Sequence, residues 1–538
     1  MTIISYAASD LAFNMASFDV EKSPDIQVTS DIDIYIPIRG HQSSGDRDLR
    51  RGTVHEIAEK GHAATDRHGN PLVALDASAE ARLRNKVDLY VVPTVATLYL
   101  FCFIDRANIG NARLAGFEKD LGLRGYDYNK VLTVFYVGYV VFEMPASFAC
   151  KFFGPGWFIP ATTVGFGVFS LLTGLCTNIG NVSAVRFLLG VCEAGMLPGI
   201  AYYLSRWYRR SELVFRLSLY IVMTPLAGAF GGLLASAILT LDHLGSLRTW
   251  RMIFVIEGTI TCGLGLASFF TLTDRPETAR WLTPEERDLA IARVKSERTA
   301  STEVLDGFNK NKLLKGIFNP VTLTTAVIFG LGNITAQGLA FFAPTIVKSI
   351  YPQHSVVSQQ LHTVPPYIVG AGFVLILPYM SWKTGRYLIY YIVALPITIC
   401  GFAIFLGTWN ANARYAATFL VASSAFLFGA LSNALISANV ISDTSRSAAI
   451  GTNVLFGNIG GLISTWSYLP FDGPNYTIGN GLNLAAISSC LVLSIMLLIW
   501  MQYDNMKRTT TEISDASELS IKELQDLDWQ QPAFRWKP

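Results

Sequence analysis

The chain has 538 residues, 51% of them hydrophobic and only 15% charged, and its formal net charge is +2. A soluble protein of this size carries ~25% charged residues. The near-neutral balance leaves no electrostatic footprint for nucleic acid, so composition points to a protein that spends most of its length in lipid.

Residues 1–86 are polar, with charge clustered at GDRDLRR and AEARLRNK, and no signal-peptide core precedes the first long apolar run. They read as a cytoplasmic tail, disordered in large part, which leaves membrane insertion to the first span itself. Six apolar spans follow in the segment 87–273, near 88–109, 129–149, 157–177, 182–204, 215–239 and 252–273. Each is about long enough for ~30 Å of hydrocarbon. The segment 274–320 is polar, and its LTPEERDLAIAR stretch carries a helix start with Thr283 as N-cap and Pro284 in the first turn. A surface helix is expected there. Six more spans follow in 321–502, near 321–347, 364–381, 387–407, 414–436, 448–469 and 481–502, and 503–538 reads as a cytoplasmic tail.

The expected fold class is an all-α polytopic membrane protein with 12 transmembrane helices in two six-helix halves. Lys and Arg set the orientation. Arg82, Arg84, Lys86, Arg206, Arg209, Arg210, Arg216, the linker, Lys383, Arg386, Lys507 and Arg508 fall on one side. On the other, Arg113, Lys119 and Arg124 alternate with Glu118, Asp120 and Asp127. Both termini are therefore expected in the cytoplasm. Two sets of six around a midplane cavity are the layout of many secondary transporters.

Several function classes find no support. The seven cysteines sit in or beside apolar runs without metal-site spacing, as small packing residues. No GxxxxGK[ST] loop occurs, which argues against ATP-driven transport. No nucleophile–base pair suggests an enzyme, and no cofactor is expected beyond protons as coupling ion.

Ionisable groups inside spans are costly and mark functional candidates. The first span has Asp105 and Arg106, the second Glu143, the fourth Arg186 and Glu193, and the sixth begins near Glu257. Later spans offer amides: Asn333 and Gln337 four apart on one face, then Asn433, Asn439, Asn453 and Asn458. Arg186 and Glu193 advance about 700° along a helix and lie about 10 Å apart on one face, too far for an easy direct bond. Gly190 lies between them, leaving room for a neighbouring helix or a substrate, while Gly195 and Gly199 suit close packing on another face. Asp105 and Arg106 point about 100° apart. A buried carboxylate can load and release a proton, and a buried Arg grips a carboxylate bidentately. Two acids and two arginines at mid-membrane thus suit proton-coupled movement of an organic anion. The alternative is structural pairing, Asp105 with Arg186 or Glu193 with Arg106, holding the first and fourth spans together. Glu143, just before a kinking Pro145 that ends the second span, reads as a gate or packing group, with Tyr139 one turn earlier on the same face. The TPLAGAFGG run (Thr224–Gly232) is a weak Gly-rich exchanger motif.

LRNKVDLYVVP, FIDRANIGNARL, YVGYVVFEMP, RFLLGVCEAGMLPGIAYYLSRWYRR, TWRMIFVIEG and LTPEERDLAIAR together resemble the fungal allantoate/nicotinate permease group in order and spacing. That group belongs to the anion:cation symporter branch of the major facilitator superfamily. TVPPY, DTSRSAAIGTNVLFGNIGG, FDGPNYTIGN and the closing DLDWQQPAFRW extend the resemblance over about residues 80–538. It implies a major facilitator fold and a monomeric, multi-pass carrier of the plasma membrane that imports a small organic anion with protons. It further implies Asp105 and Glu193 as proton carriers, Arg186 as the link between them, and Arg106 and Tyr139 at the substrate. Gln337, Asn333, Asn453 and Asn458 would complete the substrate site, and Glu143, Lys383 and Arg386 would act in gating. Two departures bear on selectivity and gating: SWKTGR has Trp382 where the family commonly has Asp, and LISANVIS lacks a tryptophan before its asparagine. The same fold also serves exporters of secondary metabolites, and a ligand-sensing receptor is the reading from another class.

Overall fold

A computed structural model describes residues 77–208, 210–241, 245, 249–298, 310–511, 527–531 and 534–538. The expected disordered tail up to residue 76 and the segments 299–309 and 512–526 lie outside these residues, as does Arg209.

The first membrane helix is longer than its apolar run. α1 spans Ala77–Leu114, so the charged AEARLRNK stretch is helical rather than part of a tail. Leu83 and Val87 explain this, because they place two buried side chains on the face that packs inward. The chain continues through α2 (Asp127–Phe153), α3 (Pro155–Thr173), α4 (Ile179–Glu193), α5 (Met196–Ser205), α6 (Arg210–Ile221), α7 (Met223–Ile238) and α8 (Trp250–Thr271). The linker holds α9 (Pro284–Arg298) and α10 (Lys310–Ile317). Then come α11 (Pro320–Ile350), α12 (Val356–Leu361), α13 (Val364–Thr384), α14 (Leu388–Gly407), α15 (Ala411–Ala425), α16 (Phe428–Ala438), α17 (Asp443–Ser464) and α18 (Thr477–Thr511). Among the described residues, 11 helical runs are long and apolar enough to cross a membrane. The span expected near 448–469 lies only in part in α17, which is not one of them; the polar Asn453 and Asn458 dilute its apolar character.

Prolines break two expected spans at predictable points. A proline supplies no N–H to the carbonyl four residues earlier, and its ring crowds that carbonyl. Pro198 frees Ala194, and α4 gives way to α5 there, directly after Glu193. Pro225 frees Ile221, where α6 ends and α7 begins. The span expected over 414–436 is likewise divided, into α15 and α16. Pro145 does not end the second span. α2 runs on to Phe153, so Glu143 lies within the helix and not at its terminus.

Small residues set the helix contacts. A Cβ on Gly190 would collide with the Phe135 carbonyl of α2, so α2 and α4 meet backbone to backbone. Gly195 faces the Phe158 ring and Gly199 the Cys150 sulfur, the separate packing face that their spacing predicts. The TPLAGAFGG run proves to be a packing surface, with Gly228 against the Tyr367 ring of α13 and Gly232 against Thr363, the residue that caps α13.

The linker helix is docked, not merely displayed. Its start is a capping box, in which the Glu286 amide donates to Thr283 Oγ1 and the Thr283 amide donates to a Glu286 oxygen. Lys86 Nζ meets the Glu286 carboxylate at 2.6 Å. Arg293 is buried between Glu80 of α1 and Glu212 of α6. Burial pushes the Glu286 carboxyl up, but hydrogen bonds from Lys86 and Thr283 outweigh it and hold the group below the ordinary glutamate range.

Residues 527–531 and 534–538 lie at the same end of the bundle as the linker, where Trp529 Nε1 donates to the Lys315 carbonyl of α10. Asp528, fully buried, accepts from the Ile441 and Ser442 amides and the Ser442 hydroxyl at the start of α17. Trp536 Nε1 donates to Asp504, and the Lys537 amide and carbonyl both bond Asn439. The Tyr387 amide donates to the Pro538 carbonyl.

Candidate coupling and substrate site

The charged residues of α1 and α4 meet in one buried region. α1 turns Asp105 and Arg106 to different neighbours, as residues about 100° apart must be. Arg106 faces α4, where its Nε and Nη2 donate to the same Glu193 oxygen at 3.0 and 2.9 Å. Arg106 is 6% exposed and Glu193 0%. The guanidinium also lies against the rings of Phe103, Tyr139 and Phe135, at 4.6, 4.9 and 5.2 Å from their centroids. Flat aromatic faces attract the cation and present nothing that competes for its N–H groups. Tyr139 therefore offers its ring face to Arg106. Glu193 keeps one oxygen, Oε1, without a hydrogen-bond partner among the described residues. It stands at the last residue of α4, where Pro198 interrupts the helix.

Asp105 faces the other way, towards α3 and α8. Ser170 Oγ donates to its Oδ1 at 2.7 Å and Thr261 Oγ1 to its Oδ2 at 3.0 Å. The pairing of the Asp105 carboxylate with Arg186 does not form. Arg186 Nη1 reaches the Asp105 backbone carbonyl at 3.4 Å, and the guanidinium packs 5.1 Å from the Phe254 ring centroid. Its Nε and Nη2 have no partner among the described residues. The reason is directional: two hydroxyls already hold the carboxylate on the side away from α4.

The remaining candidates separate into three groups. Glu143 accepts from Asn458 Nδ2 at 2.6 Å, a bond joining α2 to α17, so Asn458 serves an acid rather than a shared amide cluster with Asn453. Asn333 donates to the Gly457 carbonyl, which commits its amide nitrogen to the contact between α11 and α17. Asn453 donates to Ser432 and Asn433 and keeps a buried, unpartnered Oδ1. Gln337, 7% exposed, likewise keeps its Oε1 unpartnered. Lys383 in the last turn of α13 and Arg386 between α13 and α14 are exposed, Lys383 over the Tyr379 ring, and neither forms an ion pair among the described residues. Sequence reasoning gave no place to Ser170 and Thr261. Their signal was thin, since a hydroxyl in an apolar helix usually bonds its own backbone.

Residues 95–465 match the Major Facilitator Superfamily. The chain belongs to that superfamily. This facilitator is 30% identical to an uncharacterised transporter of Schizosaccharomyces pombe, over 84% of its own length and 92% of the relative's. It is 29% identical to the major facilitator-type transporter hxnP of Emericella nidulans, over 85% and 92% of the two chains. The MFS-type transporter efuF of Hormonema carpetanum is 30% identical, over 84% and 92%. In fold it is similar to a bacterial homolog of the human lysosomal transporter Spinster in an inward-facing, unoccupied conformation. The TM-score is 0.56 at 14% identity, covering 75% of this chain and 95% of that one. The facilitator is a multi-pass membrane transporter, not an enzyme.

Proposed function

We propose that this facilitator carries a small organic anion together with protons, as a member of the allantoate/nicotinate permease group. The observation that carries the proposal is the buried Arg106–Glu193 pair within an aromatic surround. Glu193 occupies the face of Arg106 that a substrate carboxylate would use, and both cannot hold it at once. Protonation of Glu193 removes its charge and releases the guanidinium. Proton binding thereby becomes anion binding, which is the coupling a symporter requires. Asp105, held by two hydroxyls, is the second proton carrier, and Arg186 lies between the two acids as the group that senses both. Gln337 and Asn453, each with a free buried carbonyl oxygen, are the amides available to the rest of a substrate. Glu143 with Asn458, and Lys383 with Arg386, are assigned to gating. On this reading the linker end faces the cytoplasm, twelve spans form two sets of six, and a monomer works in the plasma membrane.

The test is uptake and exchange of labelled nicotinate, allantoate and related carboxylates in cells that lack their own carriers. Arg106→Ala is expected to abolish binding of the transported acid. Glu193→Gln is expected to bind and exchange it but to lose accumulation. Normal accumulation by Glu193→Gln rules out its role as proton carrier.

A further inference from the structure

The charges of the buried region do not balance on the groups already assigned. Arg106 and Arg186 supply two cations, whereas Asp105, Glu193 and Glu257 supply three carboxylates, and all five are at most 6% exposed. Glu257 stands on α8, one turn from Phe254, the ring beneath Arg186, and one turn from Thr261, the donor to Asp105. Residues at these spacings share one face of a helix. The neighbouring Gly258 brings α8 against the α3 backbone at Leu171 and Gly167, which seals this level of the bundle.

Among the described residues, neither oxygen of Glu257 has a hydrogen-bond partner, in contrast to Asp105 with two donors and Glu193 with Arg106. The ionisable groups facing it are few. α1 contributes Asp105, which is held by Thr261, one turn from Glu257 on α8. α4 contributes Arg186, which is turned to the Asp105 carbonyl and the Phe254 ring. α3 and α7 carry no ionisable side chain. An ionised carboxylate without a donor, beside a second carboxylate, is strongly destabilised in such surroundings. One proton on the set restores neutrality, and Glu257 is the member with nothing to stabilise its anion.

We propose that Glu257 is a third proton-carrying residue of the coupling site. It holds the proton in the arrangement seen here, where neither of its oxygens reaches another group, and passes it to Asp105 in an arrangement of the bundle that brings the two carboxyls into contact. The step is a proton transfer alone: the O–H bond on Glu257 breaks as one forms on Asp105, and the charge of the pair is unchanged. The role rests on the proton-coupled reading, but its test needs no substrate.

The full chain is purified into lipid nanodiscs, and the carboxylic C=O stretch is followed by infrared spectroscopy through a pH titration and after exchange into D2O. The wild-type chain is expected to show a protonated-carboxyl component at neutral pH that fades on alkalinisation and shifts in D2O. Glu257→Gln is expected to lose that component, and Asp105→Asn to keep it. A spectrum unchanged in Glu257→Gln overturns the proposal. So does a component that neither titrates nor exchanges, which marks a purely structural acid. Should Glu257→Gln fail to fold, Glu257→Asp takes its place, and the component is expected to move in frequency; an unmoved band again overturns the proposal. Wild-type transport that ignores pH contradicts the proton-coupled reading separately, without altering the band.

Discussion

Arg106 and Glu193 depend on each other for stability as well as for function. Removing one partner of a buried pair leaves the other charge uncompensated, which costs ~3–5 kcal/mol, whereas removing both can be close to neutral. Arg106→Ala is therefore expected to lower the unfolding temperature of the purified protein sharply, and Glu193→Gln on the same background to restore most of the loss. A double variant whose loss equals the sum of the two single losses would show that the pair contributes nothing at this site. These charges were legible in the sequence because a guanidinium or carboxylate in an apolar run is conspicuous. Their partners were less so. The spacing of Arg186 and Glu193 disfavoured a direct bond, but nothing in it said that Ser170 and Thr261 would take the Asp105 carboxylate in place of Arg186. Glu257 was visible as an intramembrane acid. Its lack of donors is a property of three packed helices and could not be read from one.

Helices declare their existence in the sequence more clearly than their breaks and docking. The apolar runs marked the spans, yet the interruptions after Glu193 and at Val222 were missed although Pro198 and Pro225 announce them. Pro145 shows why such signals are ambiguous: the same residue type leaves α2 continuous to Phe153. The linker helix is the opposite case. Its capping box follows from LTPEE, whereas its attachment to α1 depends on Lys86, Glu80 and Glu212, remote in sequence. This attachment carries a pH dependence of definite sign. Glu286 has a lowered folded-state pKa, so its contribution is complete above the ordinary glutamate value of ~4.3 and is lost as pH falls through the lowered value. Hydrogen exchange across α9 is expected to be slow at neutral pH and to accelerate below pH ~4, with Lys86→Ala removing the step. Exchange that is the same for wild type and Lys86→Ala at every pH would contradict the assignment.

Across the whole molecule, the order of motifs was the most informative feature. No single stretch identifies the superfamily, but FIDRANIG, the Arg-x6-Glu stretch and the linker occur in a sequence that few other folds share. Composition alone could not reach the closing segment, because Tyr387, Asn439, Ser442 and Asp504 meet it only after the chain has folded. The central proposal is that a proton gradient drives an organic anion through this bundle, and the buried Arg106–Glu193 pair carries it. The most direct measurement is uptake of the labelled carboxylates by carrier-deficient cells at acidic and at neutral external pH, with and without an uncoupler. Accumulation that is greater at acidic pH and collapses with the uncoupler is the predicted result; uptake indifferent to both contradicts it.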